Sequence, residues 1–255
     1  MAEASTVIYE VRDRIGYITL NRPEKKNAIN RAMRKELGAA YRDVKYNPDV
    51  WIAIITGKGD VFTSGKDLVE KAPEDDGEVL SNDDLYVLQR SIYKPIVMAL
   101  NGPTLAQGAG AAFNADIIIM SERASFGWPQ PKVGISSVSG PTSLPHALPW
   151  QLAMGYLMRG VFIPASECLR FGICNEVVPH EQLIPTAERW AREILENAPI
   201  AVRAIKEAAR RGYDLPVESR QYLARDVANR ILSSEDTKEG IAAFKAKRKP
   251  VWVGR

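Results

Sequence analysis

Two short stretches of this 255-residue chain place small residues where main-chain N–H groups can approach a ligand. Phe62-Thr63-Ser64-Gly65-Lys66-Asp67-Leu68 follows a turn, and Gln107-Gly108-Ala109-Gly110 stands ahead of a helix expected through Ala111 to Ala115. The start of a helix carries unpaired N–H donors. Two such donors converging on one oxygen would form an oxyanion hole, in which a developing enolate is stabilised. The same spacing also suits two ordinary turns with glycine as backbone relief, and spacing does not separate these readings. Other chemistry is scarce. The histidines are His146 and His180 and the cysteines Cys168 and Cys174, so no Cys/His set with zinc or iron–sulfur spacing can be built. His146 has no acidic neighbour in sequence to make it a base, and His180 reads as a cap or surface residue. Both thiols read as buried and inert.

The elements that would hold these stretches alternate. Val7 to Val11 and Ile15 to Leu20 predict strands joined by a turn at Asp13-Arg14. Asn30 predicts the cap of a helix running from Arg31 to about Lys45, striped by Met33, Leu37, Ala40 and Tyr41. Trp51 to Ile55, Pro95 to Leu100 and Asp116 to Met120 are apolar runs expected of buried strands. Residues 72–83 are acidic and read as a mobile loop before a helix over about Asp84 to Ser91. From Thr142 the chain turns mostly helical; there Pro185 suits a helix start, and Arg203, Lys206 and Arg210 share a face expected to meet water. Strands alternating with helices predict an α/β layer fold. The balance of 34 basic against 31 acidic side chains, +3, is too small to point to nucleic acid. The N-terminus lacks a secretory pattern, and apolar runs such as Val50 to Ile55 fall far short of the roughly 18–20 residues of a membrane span, so a cytoplasmic, soluble protein is expected.

Six segments in order resemble the enoyl-CoA hydratase/isomerase (crotonase) superfamily. They are Asn21 to Asn30, Phe62 to Leu68, Lys94-Pro95 through Asn101-Gly102 to Asp116, Ala124-Ser125-Phe126-Gly127, Gly160 to Pro179, and Ser234 to Phe244 with Lys247 to Pro250. The resemblance implies an α/β spiral of strand-strand-helix turns followed by a C-terminal helical trimerisation region. The core with its acyl-CoA site would occupy residues 1–195 and the oligomerisation region residues 196–255, giving a trimer or a dimer of trimers. It implies an acyl-CoA substrate and no further cofactor. By position, the thioester oxygen would be held by the amides of Lys66 and Gln107, with Gly108 as a substitute donor because the family usually has Gly where Gln107 stands. Lys26, Ala28, Gly65, Asp67 and Leu68 would border the CoA channel, Asp67 more as a brace for the turn than as an acid. Lys247 in the basic tail would reach the CoA phosphates or remain a solvated terminus.

Hydratases of this family use two glutamates, and here those positions hold Gly110 and Gln130. A positioned acid or base contributes about 10²–10⁴-fold and one oxyanion donor about 10²–10³-fold. Losing the first while keeping the second leaves enolate stabilisation without the usual proton shuttle. Carboxylate positions used by other members carry Ser137 and Val138, and Ser136, Ser137 and Ser139 are pocket hydroxyls or turn and cap residues. The expectation is a divergent acyl-CoA lyase or isomerase working through a thioester enolate, with an acyl-CoA-binding sensor or assembly protein that has lost catalysis as the alternative. On this layout, Gly110→Glu with Gln130→Glu together would raise crotonyl-CoA hydration above the parent.

Overall fold

At the front of the chain, Asp13 and Arg14 both adopt positive φ, 51° and 66°, the geometry of a two-residue hairpin turn. They join β1 (Val7–Arg12) to β2 (Ile15–Leu20) antiparallel. The computed structural model describes residues 5–70 and 79–255. After the hairpin come α1 (Arg31–Tyr46), β3 (Ile52–Gly57), α2 (Asn82–Arg90), β4 (Ile96–Leu100), β5 (Pro103–Leu105), α3 (Gln107–Phe113), β6 (Ile117–Ser121) and β7 (Ser125–Gly127). Then follow α4 (Ser139–Ala147), α5 (Trp150–Arg159), β8 (Phe162–Pro164), α6 (Ala165–Arg170), β9 (Glu176–Val178) and four helices, α7 (Leu183–Leu195), α8 (Pro199–Gly212), α9 (Val217–Ile231) and α10 (Glu235–Ala246).

The larger sheet runs β1-β2-β3-β4-β6-β9 and is parallel from β2 onward; the smaller runs β5-β7-β8. Thus β4, β5 and α3, then β6, β7 and α4, form successive strand-strand-helix turns of the expected spiral. Every residue of β4 is buried, because helices cover both faces. On one face Met33, Leu37, Tyr41 and Val44 of α1 pack with Ile55 and Met98. On the other, Leu183, Ala187 and Ala191 of α7 pack on Ile54, Val97 and Ile119. Asn30 caps α1 as expected, accepting the Met33 amide at 3.0 Å. Of the expected acidic loop, residues 71–78 lie outside the described residues, while Asn82 and Asp83 form the first turn of α2.

Two expectations are corrected. The glycine-rich helix begins at Gln107, four residues before the expected start, because its glycines lie against the 62–68 loop and against α2 and α4 rather than in solvent. A Cβ at Gly108 would stand 1.9 Å from Thr63 Cγ2. The basic face of α8 is engaged with backbone carbonyls and Asp116 rather than simply solvated. Lys206 is buried, donates to the Lys94 carbonyl at 2.9 Å and pairs with Asp116 at 2.6 Å. Arg210 reaches the Asn114 and Ala115 carbonyls, and Arg203 those of Pro199 and Gly254. Several of these carbonyls lie at the entrances of β4 and β6, ahead of the ladder, and cationic side chains supply the missing donors.

The stretch Asn21 to Asn30 braces rather than reacts. Asn27 is fully buried at φ 51°, a conformation asparagine tolerates better than most residues. Its side chain accepts the Arg22 amide at 2.8 Å and donates to the carbonyls of Lys58 and Val61 at 3.0 and 2.8 Å. Its own carbonyl accepts the Thr63 hydroxyl at 2.6 Å. Asn27→Ala removes three buried bonds and is expected to lower unfolding stability by roughly 2–4 kcal/mol, read from urea denaturation midpoints at unchanged slope.

Candidate functional site

The two loops singled out in the sequence meet. Residue 66 pairs with residue 29 in a short parallel bridge, in which Ile29 N–H donates to Gly65 O and Asp67 N–H to Ile29 O. Alternation along an extended segment then turns the Lys66 N–H away from this bridge. Across from it, Thr63 O accepts the Leu105 amide at 2.9 Å. Thr63 Oγ1 also receives the Gly65 N–H at 3.1 Å, so the residue whose carbonyl joins the second loop also holds the turn of the first. Gly65 sits at φ +92°, and a Cβ there would lie 2.9 Å from Ala106 Cβ and 3.5 Å from the Gln107 nitrogen. The close approach therefore requires glycine for space as well as conformation.

Ala106 takes φ 52° and ψ −112°, a region an L-residue enters at a cost of about 1–3 kcal/mol. Its amide donates to Gly127 O at 2.8 Å, and its carbonyl accepts the Ser139 hydroxyl at 2.9 Å. The next peptide starts α3 with its N–H leading. Among the described residues no acceptor takes the Lys66 or the Gln107 N–H.

Both residues line a cavity of about 600 Å³. Its walls combine the apolar side chains of Leu68, Val133, Ile135 and Val138 with a few polar groups. Gln107 Oε1 and Gln130 Oε1 are buried and find no partner among the described residues. Gln130 opens a single 3-10 turn, Gln130–Val133, after Trp128-Pro129. Ser137 also borders the cavity, but its hydroxyl accepts the Gly140 amide at 3.0 Å, which makes it a brace for the start of α4. Leu68 is at the rim, while Gly65, Gly108 and Gly110 are buried behind it.

Asp67 behaves as a brace. Its carboxylate accepts Arg22 Nη1 and the Val69 amide, each at 3.1 Å. Against the cost of burial, these bonds hold the carboxyl below its ordinary range. Lys26 and Ala28 do not border this cavity. They support the loop from behind, Lys26 O accepting the Ser64 amide at 2.9 Å and Ala28 O accepting Arg22 Nη1 at 2.6 Å. Lys247 terminates α10 in a left-handed conformation, exposed and away from the cavity walls. His146 is exposed on α4 and His180 contacts Ser121 at 3.2 Å. Burial pushes the Cys168 and Cys174 thiols up to about 12 and about 11, as inert thiols require.

Sequence reasoning missed the contribution of α2. Tyr86 donates to Gln107 O at 2.5 Å, and Asp83 is the one carboxylate among the described residues lining the cavity. The signal was present: Ser81 and Asp84 form a capping box, which starts the helix at Asn82 and not at Asp84. Burial, with the nearby Asp83 charge, pushes the Tyr86 phenol above its ordinary range, so it stays a neutral donor at physiological pH.

The restoration expected from the sequence meets an obstacle here. A Cβ on Gly110 would lie 2.5 Å from Ser139 Cβ and 2.9 Å from the Tyr86 hydroxyl. The position at which the resemblance leads one to expect a glutamate has its side-chain space filled from α2 and α4, so Gly110→Glu cannot place a carboxylate there without displacing both.

Residues 10–255 match the model of the enoyl-CoA hydratase/isomerase family. The chain belongs to this family. It is similar to an (E)-benzylidenesuccinyl-CoA hydratase of Thauera aromatica, 32% identical over 97% of this chain and 99% of the relative. It is 37% identical to a carnitinyl-CoA dehydratase of Citrobacter koseri, over 93% and 94% of the two chains. A solved enoyl-CoA hydratase/isomerase from Mycobacterium paratuberculosis superposes with TM-score 0.89 at 32% identity, over 98% of this chain and 99% of that one. The crotonase fold, and membership of an enzyme family with hydratases and dehydratases among its members, follow from these matches. Among the described residues no helix is long and apolar enough to cross a membrane.

Gly65→Ala adds a methyl group at a positive φ and against Ala106. It is expected to cost roughly 1–3 kcal/mol, seen as a lower urea midpoint, whereas Gly134→Ala, also at positive φ but with open space around it, costs less.

Proposed function

We propose that this protein acts on an acyl-CoA thioester whose carbonyl oxygen accepts the Lys66 and Gln107 amides, so that an enolate formed at the adjacent carbon is stabilised. The observation that carries this reading is the pair of unpartnered N–H groups brought together across the Gly65–Ala106 contact at the wall of one cavity. Charge that develops on the oxygen meets dipoles already in place, and each such donor is worth about 10²–10³ in rate. The apolar walls suit an acyl chain, and the hydratase and dehydratase relatives favour addition or removal of water next to the thioester.

The proton must move without the usual glutamates. Gln130 is an amide and carries no titrating proton near neutrality. Asp83, at the start of α2, is the carboxylate on the cavity wall, and in this reading it takes and returns the proton while the enolate is held. Lys247 would meet CoA phosphates only from outside this cavity. Exposed apolar side chains on the last two helices, among them Tyr222, Ile241 and Phe244, support association into a trimer or a dimer of trimers.

A second reading, an acyl-CoA-binding protein without turnover, draws on Gly110, whose surroundings leave no room for a carboxylate. Turnover of a panel of enoyl-, β-keto- and malonyl-type CoA thioesters separates the two, since tight binding with no product above buffer favours the second. On any substrate turned over, Asp83→Asn is expected to lower kcat by about 10²–10⁴-fold with KM little changed. A fully active Asp83→Asn variant would assign the proton to another group.

A further inference from the structure

We propose that Ser139 and Tyr86 are positioning residues that lock the peptide units on either side of Gln107 and so aim its N–H into the cavity. The inference rests on the enolate reading above and concerns how this chain holds the second of the two donors. In a trans peptide the C=O and N–H point in opposite directions. The Ala106 carbonyl and the Gln107 N–H belong to one such unit. Whatever fixes the Ala106 oxygen therefore fixes the direction of the donor.

The Ser139 hydroxyl does so at 2.9 Å, the shorter of two bonds to that oxygen beside the Gly110 amide at 3.3 Å, and it is itself held by the Trp128 indole N–H at 3.1 Å. Trp128 is 1% exposed and is packed against Phe113 and Phe126, with ring centroids 5.9 and 6.3 Å away. The orientation of the donor is thus tied through one hydroxyl to the aromatic core. Tyr86 restrains the next unit, donating to Gln107 O at 2.5 Å. The two hydroxyls come together over Gly110, where an added Cβ would stand 2.9 Å from one oxygen and 3.2 Å from the other. The strain at Ala106 indicates what they oppose. Without the Ser139 hydroxyl the carbonyl keeps only the longer Gly110 bond, so the strained backbone can relax and the Gln107 N–H rotate with it.

The same contacts account for the departure at Gly110: the space that a glutamate side chain would enter is used to hold the oxyanion peptide. A trade of acid/base capacity for a more firmly held donor suits chemistry that depends on enolate stabilisation.

The test reads carbonyl polarisation and needs no knowledge of the physiological substrate. Butyryl-CoA labelled with carbon-13 at the thioester carbonyl is bound to the full-length protein, and its stretching frequency is recorded by isotope-edited difference infrared spectroscopy. The parent is expected to lower the frequency relative to free ligand. Ser139→Ala should lose most of that shift while the dissociation constant changes by less than about threefold, because the cavity walls are kept. Tyr86→Phe keeps the ring and should lose a smaller part, and it serves as the measured variant if Ser139→Ala fails to fold by circular dichroism. A full shift in both variants overturns the positioning roles and leaves the proposed oxyanion pair standing. A bound ligand with no shift in the parent overturns the oxyanion pair, and the positioning roles with it.

Discussion

Two loops from different turns of the spiral must approach until their backbones touch, and the site depends on this contact. An oxyanion hole needs donors that do not reorganise as charge develops, and main-chain amides held by a folded core meet that need better than mobile side chains. Here the contact is made at Gly65 and Ala106, where even one added carbon would collide. Thr63 ties the loops by its backbone, its hydroxyl holds the Gly65 amide and the Asn27 carbonyl, and Asn27 ties the first loop to the turn behind it. The buried parallel sheet fixes where each loop leaves, since β3 and β4 lie side by side and end toward the same edge.

Burial decides the character of the remaining polar groups. Tyr86 is kept neutral and donates to a carbonyl, and Trp128, Ser139 and Ala106 form a short chain of hydrogen bonds running from the core to the cavity. A carboxylate at position 110 would have to enter this tightly packed place, where its charge would be costly without a partner. Which residue can stand at position 110 is therefore a matter of packing as well as of chemistry. Among the described residues, the carboxylate at the cavity wall comes from another element, at Asp83.

Long, periodic features were legible in the sequence. The stripe of α1, its Asn30 cap, the hairpin turn at Asp13-Arg14 and the buried strands all stand close to where local patterns put them. Local propensity was misleading where tertiary contact overrides it. The run Gln107 to Gly110 looks like a loop because glycine is a poor helix former, yet it is helical because each missing side chain allows a neighbour to approach. Lys206 and Arg210 look like a solvated face because charges usually are, yet strand entrances across from them offer unpaired carbonyls and Asp116.

By itself the sequence determined the family, the alternating α/β order, the identity of the two loops and the presence of glycine at 110 and glutamine at 130. These depend on residue types at fixed spacing along the chain. Only the tertiary structure decided that, among the described residues, the Lys66 and Gln107 amides are left without acceptors at one cavity wall, that Ser137 is a brace while Ser139 reaches the Ala106 carbonyl, and that Asp83 and Tyr86 line the same cavity. Those outcomes depend on the distance and direction between segments dozens of residues apart, which the packing of helices on the sheet sets and which no local pattern encodes.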